Sequence, residues 1–460
     1  MSELFCSILE SFWSALGGAA SDMESVHVTG AGELPSAFPV TDFACAAVAA
    51  AAVGLRELLY ARSGSQPRIE VDRRLASFWF AVSIRPSGWS LPGPWDPMAG
   101  DYATRDGWIR LHTNAPRHRA AAERVLGRRG DRAAVARAVA GWAKSELENA
   151  VVAAGGCAAE MRSAAEWLEH PQGRAVMTEP LVHSTGTTDS ADRILQQWNP
   201  ERPLAGVRVL DLTRVLAGPV ATRFLAGYGA DVLRIDPPDW DEPGVVPEVT
   251  LGKRCARLNL KASVDRECFM ALLREADVLV HGYRPTALVA LGFDEETLRK
   301  IAPGLIDVSL DAYGWQGPWC DRRGFDSLVQ MSSGIAATGM AWRGADRPTP
   351  LPVQALDHST GYLMAAAACR GLAQRQLTRC GHRSRLSLAR TAKALTDWSR
   401  YYHIASSITP EREDDLQPVI EETTWGPARR LKPPVTIAGT PLGWTRPATA
   451  LGTAAAGWTV

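Results

Sequence analysis

Charge of either sign is in no excess: Lys and Arg together number 50, and so do Asp and Glu. That balance gives no global electrostatic case for nucleic acid or an anionic membrane as partner. Cysteine is sparse, eight in 460 residues, and no two form a C-x-x-C pair. Scattered thiols of this kind suit a reducing, cytoplasmic setting and outline neither a disulfide framework nor a metal site. A basic n-region is missing from Met1 to Ala20, so no secretory signal is expected. Long apolar runs are missing too. The longest, Ala44 to Leu55, is too short and too Ala-rich to span a bilayer and reads as a buried helix. A G-x-G-x-x-G fingerprint is absent, which leaves an NAD site little support.

What is present is length enough for two or three domains. Residues 1–185 read as helical with a small mixed patch. Tyr102 to Leu111 carries Asp106-Gly107 as a hairpin turn, and helices follow from Arg117 to Leu126, Arg132 to Glu146, Glu148 to Ala154 and Met161 to Glu169. His183 to Pro203, rich in Ser, Thr and Asp, reads as a linker, drawn at 186–203. A catalytic α/β domain is expected over 204–408 and a tail over 409–460.

Within 204–310, short apolar runs at 206–212, 231–236, 257–260, 277–281 and 305–310 alternate with helical stretches. That alternation predicts a parallel, doubly wound sheet, whose ligands bind beyond the carboxyl ends of its strands. The first such turn, Thr213 to Pro219, offers Val215, Leu216 and Ala217 as small or apolar residues where a ligand can approach the backbone. Arg234, Lys253, Arg254 and Arg284 supply cations suited to phosphate, and Tyr283 a ring suited to a base. Each alone also reads as ordinary surface; their grouping at one sheet edge is what favours a site.

Asp357 precedes the Ala-rich run Leu363 to Cys369, a strong helix former. At the mouth of that helix an Asp is first of all a cap. An ionised carboxylate held there by the helix dipole is also a nucleophile for an activated acyl group. The run Phe38 to Cys45 with its following Ala-rich stretch repeats this element in degenerate form, so that Asp42 echoes Asp357 and reads as a helix cap.

The ordered set Pro203-Leu204-Ala205-Gly206-Val207-Arg208-Val209-Leu210-Asp211-Leu212-Thr213, Ala217-Gly218-Pro219, Lys253-Arg254, Tyr283-Arg284-Pro285, Gly314-Trp315-Gln316-Gly317-Pro318, Gly324-Phe325-Asp326 and Asp357 with Thr360-Gly361 resembles the family III CoA-transferases of CaiB/BaiF type. The resemblance implies a Rossmann-like sheet plus a smaller α+β domain. It implies coenzyme A as part of the substrate with no permanently bound cofactor, an acyl-CoA and a carboxylic acid as partners, and a homodimer or pairing with a related chain. It also implies Asp357 as the nucleophile of an acyl-aspartyl and aspartyl-CoA route. The segment order is unusual: Tyr102 to Leu111 and Ala165 to Gln172 resemble parts that follow the nucleophile in the family, yet here they precede it. A racemase branch of the family carries His where this chain has Phe325, and Phe cannot move a proton. His281 and His358 remain as possible shuttles, with a structural role the stronger reading. Transfer is therefore favoured over racemisation, and a non-catalytic acyl-CoA-binding partner subunit stands as the third reading.

Overall fold

The structure is a computed structural model. It describes every residue except 1, 128–130, 191–197, 400, 401, 403, 405 and 460. Its centre is a seven-stranded sheet in the order Arg254–Arg257, Asp231–Asp236, Arg208–Leu212, Val278–His281, Ile306–Asp311, Cys380–Ser387, His183–Ser190. The first six strands are parallel and the last is antiparallel. In chain order the parallel six run third, second, first, fourth, fifth, sixth, the doubly wound arrangement that the alternation predicts. The order reverses between Arg208–Leu212 and Val278–His281, and a crevice opens at that switch point.

Three departures from expectation have physical causes. The third strand is Arg254–Arg257 rather than 257–260. Leu258 and Leu260 do bury in the core, but from the loop that follows the strand. The sixth strand, with the sequence CGHRSRLS, carries too few apolar residues to be read as one. Finally, the expected linker starts as a strand, because His183–Ser190 closes the sheet edge against Cys380–Ser387.

The Ala-rich repeat is real in three dimensions. Val40–Ser63 and Ala355–Thr378 are helices of 24 residues each, with Asp42 and Asp357 at the third position. The residue before each helix has nearly the same backbone, ψ 58° at Pro39 and 62° at Gln354. Both helices end on a left-handed residue, Gly64 at φ 70° and Arg379 at φ 66°. The two pack face to face. A Cβ on Gly54 would lie 2.9 Å from the carbonyl oxygen of Ala366, so only glycine permits the approach. The helix Val40–Ser63 is long and apolar enough to cross a membrane, yet 89% of its apolar window is buried inside the protein.

The front segment thus lies against the sheet half. Its hairpin, Gly100–Thr104 with Gly107–Leu111, pairs with Ala158–Glu160 in a small sheet of its own. Gln172 Nε2 donates to the carbonyl of Tyr313 at 2.9 Å, and Glu148 binds both Arg162 and Arg322. The tail is not a separate piece. Val435–Ile437 pairs with Ile69–Asp72, and Gly426–Arg430 pairs with Ile84–Pro86 of the front segment.

Candidate active site

Asp357 does not cap its helix. The N–H groups of Leu356 and Asp357 instead donate to Oδ2 of Asp326, both at 3.0 Å. Asp326 opens its own helix, Asp326–Ser332, and is held by Gln330, whose amide nitrogen donates to Oδ1. Gln330 is fixed in turn by the N–H of Leu351 at 2.7 Å. A carboxylate from a neighbouring helix therefore satisfies the free amides of this helix start. The Asp357 side chain accepts no hydrogen bond from any described residue and lines the crevice. Burial, and then the charge of Asp326, pushes its carboxyl well above the usual range. Burial also raises Asp326, but the amides of Asp357 and Leu356 and the side chain of Gln330 oppose that rise. Of the two, Asp326 takes the negative charge more readily, and Asp357 keeps its proton to higher pH.

Small residues set this geometry. A Cβ on Gly361 would sit 2.3 Å from the carbonyl oxygen of Ala217, so the Thr360-Gly361 pair lets the helix reach the start of helix Ala217–Gly227. The turn before that helix is strained. Val215 sits at φ 60°, a conformation that costs a β-branched residue on the order of 1–3 kcal/mol. Its N–H is held by Glu242 Oε2 at 2.9 Å.

The crevice has a volume of about 600 Å³. Of the residues singled out in the sequence, Val215, Ala217, Tyr283, Arg284 and Asp357 line it together. Leu216 does not; it is buried in the core behind the turn. Arg234, Lys253 and Arg254 do not line it either, which corrects the reading of them as phosphate ligands. Arg234 is wholly buried between Asp236 and Glu242. Lys253 is buried with its ammonium 2.9 Å from Asp211 and 3.0 Å from the carbonyl of Pro219. Arg254 is bound to Asp231 and to the carbonyl of Gly457. Buried cations need such partners, and each is used up by them.

The cations that do line the crevice are Arg117, Arg214, Lys261, Arg284, Arg322 and Arg323. Arg117 and Arg214 both lie over the ring of Trp240, at 5.4 and 5.7 Å. Arg117 and His118 come from the front segment, on helix Pro116–Leu126. The sequence reading missed these because nothing local shows that this helix folds over Asp357. His118 is buried, its nitrogens have no hydrogen-bond partner among the described residues, and burial lowers its pKa to about 4. The two histidines weighed as shuttles lie elsewhere. His281 is 3.2 Å from Asp307, and His358 is buried against the ring of Phe80 with its pKa lowered to about 3.

Residues 204–430 match the model of CoA-transferase family III. Acetyl-coenzyme A transferase nodX of Hypoxylon pulicicidum is 36% identical over 182 residues, 38% of this chain and 31% of that protein. Acetyl-CoA:oxalate CoA-transferase of Acetobacter aceti is 39% identical over 153 residues, 30% of this chain and 39% of that protein. The crystal structure of Rv3272 from Mycobacterium tuberculosis overlaps 49% of this chain and 63% of its own at 27% identity, with a TM-score of 0.41. The chain spans about a third to a half of the length of the curated relatives it matches.

Proposed function

We propose that the protein is a CoA-transferase, moving CoA between an acyl-CoA and a carboxylic acid with Asp357 as nucleophile. One observation carries the reading: a buried carboxyl that accepts no hydrogen bond among the described residues faces a crevice lined by six cations, of which Arg117, Lys261 and Arg323 have no ion pair among the described residues. The cations suit the phosphates of CoA. The carboxylate of Asp357 attacks the thioester carbonyl and expels CoA thiolate, leaving an acyl-aspartyl anhydride. The thiolate then attacks the aspartyl carbonyl, releasing the first acid and forming an aspartyl-CoA thioester. The second acid's carboxylate attacks that thioester to form a new anhydride, and the thiolate attacks its acyl carbonyl to give the new acyl-CoA and free Asp357. Desolvation sharpens the ionised Asp357 as a nucleophile, and covalent transfer divides one difficult step into easier ones. Phe325, beside Asp326, cannot shuttle a proton, which favours transfer over racemisation.

The test is mass spectrometry of the protein after incubation with acetyl-CoA, with hydroxylamine as the trap. A hydroxylamine-sensitive adduct confined to the peptide bearing Asp357, and absent from Asp357→Asn, supports the reading. No adduct, together with unimpaired turnover by Asp357→Asn, overturns it.

A further inference from the structure

A second chamber of about 220 Å³ opens beside the main crevice. The two share Val215, Trp240 and Phe325 as a common wall. The far side of the smaller chamber is built by the front segment, through Trp95 and His112. The His112 ring stacks on Phe325 with centroids 3.8 Å apart, and Trp95 meets His112 edge-on at 5.9 Å. Four rings, Trp95, His112, Trp240 and Phe325, thus stand in its walls.

Charge divides the two spaces sharply. Six cations line the main crevice, whereas no described Lys or Arg lines the smaller chamber; Arg110 and Arg119 stand behind its wall, on Trp95 and Asp96. Asp96, Asp241 and Glu242 do line it. Asp96 is paired with Arg119 and Glu242 with Arg234, so an anionic group entering there would lose its hydration, find no cation lining the chamber to replace it, and meet the charge of Asp241; the chamber selects against it. His112 is only 5% exposed, and its Nδ1 is sealed off without a hydrogen-bond partner among the described residues. Burial holds the imidazole neutral, with its pKa lowered to about 3. A neutral imidazole offers one donor and one acceptor, and with Nδ1 sealed the free position is Nε2. Nε2 makes no hydrogen bond among the described residues and stands between the Trp95 and Phe325 rings, a position suited to one hydroxyl or carbonyl.

Volume narrows the choice further. A cavity of about 150 Å³ holds a benzene molecule. At about 220 Å³ the chamber therefore admits one ring with a small substituent and is too small to enclose a long fatty chain. We propose, resting on the CoA-transferase reading, that this chamber takes the acyl group and selects an uncharged, ring-sized one bearing a polar substituent that meets His112. Trp95, Trp240 and Phe325 then pack the ring, and Asp357 meets the thioester carbonyl at the shared wall.

The test compares kcat/KM of the full-length protein for phenylacetyl-, 4-hydroxyphenylacetyl-, succinyl-, decanoyl- and acetyl-CoA, with formate as acceptor. Both ring esters should exceed the succinyl and decanoyl esters by about tenfold or more, the loss of one or two good contacts. His112→Phe keeps the stack on Phe325 and removes the hydrogen bond. It should lower the hydroxylated ring ester about fivefold more than phenylacetyl-CoA. Preference for succinyl- or decanoyl-CoA, or an equal effect of His112→Phe on both ring esters, overturns the assignment. If acetyl-CoA labels Asp357 while the ring esters show no advantage, the acyl assignment alone fails. If no ester labels Asp357, the transferase reading fails and takes this one with it.

Discussion

Oδ2 of Asp326 accepts the backbone N–H groups of both Leu356 and Asp357, so the helix that carries the proposed nucleophile is capped by a carboxylate from another helix. The cap and the nucleophile share one electrostatic problem. Two buried carboxyls lie side by side, and both are raised. Transfer needs Asp357 ionised, so kcat/KM should rise with pH along a limb well above the range of an ordinary carboxylate. Asp326→Asn keeps an oxygen for the two amides and removes the charge that raises Asp357. Its acid limb should move to lower pH. The pH–rate profile of the two proteins reads this directly, and an unmoved limb would show that the two groups do not interact.

The same pair makes a stability prediction. A carboxyl whose folded pKa is raised binds its proton more tightly in the folded state. Its contribution is full at pH values below the unfolded pKa and is lost as pH rises toward the folded one. Asp326→Asn removes one raised group and relieves the other. The variant should therefore lose less stability than wild type between pH 5 and pH 8, as read by urea midpoints at each pH.

Asp357→Asn and Asp42→Asn should have opposite effects. The first should abolish transfer with the melting temperature nearly unchanged, because the Asp357 side chain caps nothing. Asp42, also read as a cap, is held instead by Arg73 and by the hydroxyl of Ser2. The Asp42–Arg73 pair is buried, and removing one partner of such a pair costs about 3–5 kcal/mol. Glu33 also reaches Arg73, at 3.3 Å, which places the expected loss at the low end, about 3 kcal/mol. Chemical unfolding should show that loss, with specific activity per folded molecule intact.

The cations separate in the same way. Arg323 and Lys261 line the crevice, and their side chains have no ion pair among the described residues. Replacing either with Ala should weaken CoA about tenfold, the value of one charge-assisted hydrogen bond, with little change in melting temperature. Lys253→Ala should do the reverse: it leaves Asp211 buried beside Thr213 and Thr222 without its cation, and lowers the melting temperature. Calorimetric titration with CoA, alongside thermal melts, distinguishes the two patterns.

How far the sequence could be read follows from where each signal resides. The doubly wound sheet was legible because strand and helix periods differ and alternate over 204–310. The repeat was legible as composition, and its two helices agree in length and cap geometry. The misplaced cations had a visible warning. Arg234 and Asp236 are two apart on one strand, hence on one face, where they pair with each other. Asp326 was quoted in the resemblance but not read as the partner of Asp357, because a bond across 31 positions leaves no periodic trace. The contribution of Arg117, His118 and His112 to the site depends on how the front segment folds over the sheet, which no local pattern encodes.

That folding-over supplies the last prediction. The two Ala-rich helices bury each other along faces of Ala and Gly, so neither half can be covered by its own residues. Expressed alone, residues 196–460 would expose the face of Ala355–Thr378 that the front helix covers, at about 25 cal/mol per Å² of apolar surface left in water. The fragment would also lack Arg117, His112 and His118 at the site. It should aggregate or stay inactive, and adding residues 1–195 in trans should restore both solubility and transfer. Gly54→Leu places a side chain against the backbone of Ala366 and should defeat that rescue, whereas Gly64→Ala, beyond the helix contact and strained only by its left-handed backbone at about 1–2 kcal/mol, should leave it in place. A soluble and fully active 196–460 fragment would show that the front segment is dispensable to the site. The same experiment bears on the dimer implied by the family resemblance. Light scattering on the full chain tests whether a second copy is needed once one chain has supplied both helices.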